Sequence, residues 1–209
     1  GAAGASDATT RESRLSLREV DVVLRNTARH HALRIDATPP ASLGQRFVGM
    51  GQFQRGLLSL HPGQLSDWSG QAYALFPQVD VAQWSQQLRL GDRIEAGQGG
   101  LRVWSDVLNG QWTGGALNLN LMGLKTTWQA DAEPLNFERI SGRIAAKVDP
   151  LGFEVSTQNL TFVSAQGLVW PGGNAALSYT QALGKSPARG ALQADNLDLR
   201  ALHELGLQL

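Results

Sequence analysis

Cysteine is absent from the 209-residue chain, which excludes disulfides, thiolate metal centres and thiol catalysis but fits any redox compartment. Charge is scarce too. Asp, Glu, Lys and Arg make up 17% of the residues, below the usual quarter or so of a soluble domain. The 18 basic residues balance the 18 acidic ones, so there is neither a basic footprint for nucleic acid nor a polybasic patch for a membrane surface. No apolar run approaches the roughly 18 residues that a membrane helix needs, and no signal peptide is visible. Because the chain opens on Gly1 and stops at Leu209 inside an apolar pattern, the expectation is a piece excised from a larger protein.

Glycine, by contrast, is plentiful: 24 residues, enough for the turns and bulges of a sheet protein. The chain is organised around a stretch from Asp67 to Trp84, and a looser copy of it returns from Gly190 to Leu202. Each joins a strand-like run to an aspartate and a short apolar-periodic segment, Val79-Asp80-Val81 in one and Leu197-Asp198-Leu199 in the other. The aspartate suits a helix N-cap, where its carboxylate accepts free backbone N–H groups. The spacing predicts two strand–Asp–helix cassettes, at 67–90 and 188–209, with helices near 81–89 and 198–206. The first helix presents Val81, Trp84 and Leu88 as one apolar stripe, and the second Leu199, Leu202 and Leu205.

Residues 1–13 are small, polar and without periodicity, and read as a flexible lead-in; residues 14–209 read as one unit. Leu15 and Leu17 alternate with polar neighbours, then Val20, Val22 and Leu24 do so on the opposite parity, which predicts a bulge near Arg18-Glu19. Further strands follow at Leu33–Ala37, closed by Pro39-Pro40, and at Gln45–Gln54. Ser69–Phe76 is the strand of the first cassette. Beyond a glycine-rich linker, Leu101–Leu108 and Gln111–Leu121 flank Asn109-Gly110, a strong hairpin signal because both turn residues accept positive φ. Leu124–Gln129, Phe137–Val148, Phe153–Thr157 and Leu160–Ser164 continue the pattern. Trp170-Pro171-Gly172-Gly173 has proline and glycine where a type II turn wants them, and Ala175–Thr180 and Ala188–Ala194 close the series. Roughly eleven short strands and two helices predict an all-β antiparallel meander, since parallel pairing would need a crossover each time.

The residues offer little chemistry. His30 and His31 are adjacent on a strand, where successive side chains point to opposite faces. His61 lies in a Pro-Gly loop, and His203 lacks the i, i+4 partner of a zinc helix. No metal, cofactor or catalytic set is expected. Gly184-Lys185-Ser186 lacks the preceding glycine of a phosphate loop, and Gly49-Met50-Gly51 lacks the third glycine of a dinucleotide fingerprint. The six tryptophans, at 68, 84, 104, 112, 128 and 170, fit sheet packing better than sugar stacking. The residues alone predict a β-rich scaffold whose alternating apolar side chains fill a sandwich or barrel core; a β scaffold for protein partners in envelope assembly and a carbohydrate-binding β-sandwich that uses the tryptophans are its functional alternatives.

Several runs in this order bear on the choice: Asp67-Trp68-Ser69-Gly70, Gly100-Leu101-Arg102-Val103-Trp104, Arg139-Ile140-Ser141-Gly142-Arg143, Gly152-Phe153-Glu154-Val155-Ser156-Thr157 and Trp170-Pro171-Gly172-Gly173-Asn174. Together with the two cassettes they resemble the YhdP-type proteins of the AsmA-like family, over about residues 14–205. Members are anchored in the inner membrane of Gram-negative bacteria, reach across the periplasm, and resemble bridge-like lipid transfer proteins. The resemblance implies an elongated, strongly curved antiparallel sheet forming an open apolar groove. Phospholipids would pass along it toward the outer membrane, with no enzymatic step. It further implies a periplasmic location, neighbouring segments of the same larger protein as partners, and a membrane anchor outside these residues. The candidate lining is Leu117, Leu119 and Leu121 from one run and Ile140, Ile144 and Val148 from the next. Phe153, Val155, Leu160 and Phe162 complete it.

Overall fold

The computed structural model describes residues 15–55, 67–88, 93–127, 133–184 and 186–196. Its eleven strands form one open antiparallel sheet. They are β1 (Arg18–Asn26), β2 (His30–Thr38), β3 (Phe47–Arg55), β4 (Trp68–Asp80), β5 (Ile94–Leu108), β6 (Gln111–Thr126), β7 (Leu135–Asp149), β8 (Gly152–Ser164), β9 (Val169–Trp170), β10 (Ala175–Thr180) and β11 (Arg189–Ala194). The spatial order is the chain order from β1 to β8, then β10 and β11, with β9 paired to β8 off this path. The expected meander is the observed one.

Local chemistry sets the punctuation. Asn109 and Gly110 turn β5 into β6 with φ of 50° and 71°, the positive pair whose twist matches that of the flanking strands. Glu19 has φ 49°, and the β1–β2 register slips between Arg18 and Asp21, so the predicted bulge lies where the apolar parity changes. Trp170-Pro171-Gly172-Gly173 is not the predicted turn: β9 and β10 both pair antiparallel with β8, so the chain runs on in one direction through Gly172, φ 115°, as an irregular stretch that holds β8 through the Leu160 N–H on the Gly173 carbonyl.

The extent of three strands also differs from expectation. The glycine-rich stretch before Leu101 is not a linker, because Ile94–Gly100 belongs to β5. Its Gly99 backs onto the β6 backbone so closely that a Cβ would collide with the Asn120 carbonyl. Leu124–Thr126 is the continuation of β6 rather than a separate strand, the ladder passing a kink at Gly123, φ 60°. Likewise Phe153–Thr157 and Leu160–Ser164 are one strand, β8, joined through a bulge at Asn159, φ 49°. Bulges read in sequence as strand breaks because both disturb the alternation.

One helix, α1 (Val81–Gln87), is described. Asp80 is its N-cap: the carboxylate accepts from the Gln83 N–H at 2.9 Å. Val81, Ala82 and Ser85 are the buried positions. Leu88, expected in the apolar stripe, is instead the exposed C-cap; the helix stops before the stripe reaches it. The carbonyl of Leu43 accepts both the Asp80 N–H and the Trp84 indole N–H at 3.0 Å, which holds the chain before β3 against the start of α1. The second expected helix, from Asp198, and the whole of the lead-in, residues 1–13, lie outside the described residues.

Candidate functional site

In a strand successive side chains alternate between faces, so the register assigns every residue to one side. Two neighbouring rows cross the whole sheet on one side. The first runs Val22, Ile35, Gly49, Ala74, Val103, Leu117, Ile144, Thr157, Ala175, Ala194. The second runs Leu24, Leu33, Gly51, Ala72, Ser105, Gly115, Ala146, Val155, Leu177, Leu192. Neither contains a charge, and each has one hydroxyl. Ten strands make nine steps of about 4.8 Å, so each row extends roughly 43 Å along the sheet.

Among the described residues this face is sealed at one end only. There Val79, Val81, Leu119, Leu121, Ile140 and Phe162 form the buried core, with Phe76, Trp84, Leu101 and Leu168 packed around them. Trp84 meets Phe47 and Phe76 edge-on at 5.5 Å, and Trp170 stacks on Phe162 at 6.0 Å, so α1 and β9 contribute the cover. Away from it the apolar side chains meet solvent: Val155 is 37% exposed, Leu177 46%, Leu192 61% and Leu24 63%. Val155, Leu177 and Leu192 are consecutive in one row, and exposed apolar side chains grouped in this way make the face a candidate interaction surface.

The candidate lining residues lie together on this face, in three environments. Leu121, Ile140 and Phe162 are directly opposite one another across β6, β7 and β8 and, with Leu119, are buried. Leu117 and Ile144 pair across β6 and β7 and, like Leu160, are half-buried at the edge of the core. Val148 and Phe153 pair across β7 and β8 and, with Val155, are exposed. Sequence reasoning missed the residues that extend the face to both sheet edges, Val22, Leu24, Leu177 and Leu192 among them. Their alternation was visible, but which parities align across ten strands depends on every bulge and turn in between.

The opposite face is polar with an aromatic centre. Its rows include Arg34, Met50, Tyr73, Trp104, Ala116, Ala145, Ser156 and, next to it, Leu75, Arg102, Asn118, Arg143, Gln158. Gln71 donates to Asp106 at 2.8 Å, and the Arg143 guanidinium sits 5.0 Å over the Trp104 ring. Arg34 and Asp36 pair at 2.7 Å; the hydrogen bond from Arg34 holds the Asp36 carboxyl below its ordinary range. At the β5–β6 edge, hydrogen bonds from Lys125 and then Thr127 hold Glu95 below its own.

Of the histidines, His31 stacks on Trp68 at 4.5 Å and lies 3.3 Å from the Asn26 amide oxygen; His61 and His203 lie outside the described residues. Among the described residues no cluster of His, Asp and Glu could hold a metal. Gly184 is in a short β-bridged turn, Leu183 to Ser186, and no helix is described after it.

An open antiparallel meander with two uncharged rows across one face and a polar opposite face defines a β-sheet scaffold. The chain belongs to the YhdP protein family, which it matches over residues 6–208. Neither curated proteins nor solved structures give a match. Among the described residues no helix is long and apolar enough to cross a membrane.

Proposed function

We propose that this chain is a segment of a lipid conduit, a non-enzymatic surface that holds phospholipid acyl chains and lets them move along it. The observation that carries the reading is the pair of uncharged rows crossing ten strands, half-covered at one end and open beyond. Family membership supports the same role, together with a periplasmic setting between inner and outer membranes and neighbouring segments of a longer protein as partners.

The energetics fit. Burying an acyl chain contributes about 0.8 kcal/mol per CH₂, so sixteen carbons amount to about 12 kcal/mol when fully shielded. A sheet that shields one side captures about half, roughly 6 kcal/mol, equivalent to a dissociation constant on the order of 10⁻⁵ M. Such binding retains a lipid and still releases it. Gly49, Gly51, Ala72, Ala74 and Gly115 keep the middle of the two rows low, while headgroups, which no residue of these rows could pair, would stay in water.

Native mass spectrometry of the purified protein tests the reading, with Leu177→Asp on the apolar face and Ser178→Asp on the other face of the same strand. Retained phospholipid is expected in the parent and in Ser178→Asp, and is expected to be lost from a folded Leu177→Asp. A folded Leu177→Asp with the full lipid load, or a parent that never carries lipid after mixing with phospholipid vesicles, overturns it.

A further inference from the structure

The polar face carries charge of one sign where it is broadest. Four adjacent rows across β5 to β8 hold Arg102, Arg139 and Arg143 and no Asp or Glu: those through Trp104 and Ala116, through Arg102 and Asn118, through Asn120 and Ser141, and through Met122 and Arg139; on β4 the last of these rows ends at Asp80, whose carboxylate accepts from the Gln83 N–H and the Gln98 amide. None of the three arginines forms an ion pair among the described residues, although four other pairs are made elsewhere. Arg102 and Arg139 are exposed, and Arg143 is half-buried.

Arg143 is held in place. Its guanidinium lies 5.0 Å from the Trp104 ring centre, and one nitrogen donates to the Asn118 side-chain oxygen at 2.9 Å. A guanidinium fixed on both counts keeps other N–H groups free, and less side-chain entropy is lost when a carboxylate arrives. Beside it the Trp104 and Tyr73 rings meet at 5.4 Å, both half-buried, and among the described residues no element packs over them. With Met50 and Gln52 they line a depression of about 260 Å³, large enough for one apolar side chain. Tryptophan, tyrosine and arginine at the centre of a patch with a polar rim is the composition of a protein-binding hot spot.

We propose that this face docks a protein segment bearing two or more carboxylates beside a single apolar anchor. The anchor enters the depression at Tyr73 and Trp104, and the carboxylates meet Arg143 and Arg102, which face outward two strands apart. Asp106, in the next row and already accepting from Gln71, repels carboxylates on the far side of the anchor and so sets the segment's orientation. An anionic membrane would meet the arginines as well, but a headgroup layer supplies no side chain for the depression. The opposite face stays free, so this partner and an apolar ligand bind together.

The test is selection of peptides from a random phage-displayed library on the full chain, counter-selected on Arg102→Gln/Arg143→Gln, with binding of synthetic winners measured by anisotropy. Both substitutions are on the surface, and an unchanged melting temperature verifies the fold. The expected winners pair Asp or Glu with one aromatic, Leu or Met residue. They should lose about tenfold in affinity on Arg143→Gln, weaken with salt, and bind Lys147→Gln like the parent. Winners without carboxylates, winners that bind the double variant equally, or no winners at all overturn the proposal. Charge-dependent binding to anionic vesicles with no peptide selected would assign the face to a membrane instead.

Discussion

Two side chains on the same face of the same sheet have very different jobs, and truncating them separates core from exposed surface. Ile140 is 9% exposed and lies directly between Leu121 and Phe162 on the neighbouring strands. Ile140→Ala removes buried methyl groups and leaves a cavity that β6 and β8, hydrogen-bonded on either side, close only in part; the cost is about 2–5 kcal/mol. Leu192 is 61% exposed on the edge strand β11, so Leu192→Ala gives up only the shielded fraction of a transfer energy of about 2 kcal/mol, roughly 0.8 kcal/mol. Urea unfolding followed by circular dichroism reads the difference. With an m-value of about 2 kcal/mol per M, a 3 kcal/mol loss moves the midpoint down by about 1.5 M for Ile140→Ala, against about 0.4 M for Leu192→Ala. Equal shifts would refute the reasoning, because they would mean that the face is covered along its whole length in the folded protein.

Gly142→Ala is expected to destabilise strongly: at φ 142° a Cβ would come 2.7 Å from the Leu160 Cα and 2.9 Å from the Asn159 carbonyl, so β7 and β8 must part. A midpoint within error of the parent would count against this. Asp80→Ala should cost about 1 kcal/mol through loss of the N-cap of α1, and Asp80→Asn should recover most of it in the same unfolding assay. Asp36 and Glu95 have folded-state pKa values below their ordinary ones, so each contributes stability that is fully present above its unfolded pKa and lost as pH falls through the lowered folded value. Both carboxylates are in solvent reach and the effect is small; melting temperatures across that acid range should fall less for Glu95→Gln than for the parent, and parallel curves would refute the assignment.

The local grammar of the sheet was legible because it is written in nearest neighbours. Alternation identified the strands, Asn109-Gly110 a two-residue hairpin, the parity change at Arg18-Glu19 the bulge, and Asp80 the helix cap, each a matter of a few residues' φ and hydrogen bonds. Strand extent was less legible: Gly99, Gly123 and Asn159 resemble breaks, yet the partner strands carry the ladder past each of them. What only the tertiary structure decided is alignment. A slip of one residue would turn a strand's apolar set to the other side, so the uncharged rows from β1 to β11 exist only if nine registers agree. The sealing of one end depended on more distant choices: α1 must fold back so that Val81 joins Leu119, Leu121 and Ile140, and β9 must bring Trp170 onto Phe162. Sequence assigns a residue its neighbours along the chain, whereas burial is set by those across it, and that is why Ile140 and Val155, both members of alternating apolar runs, differ so widely in exposure.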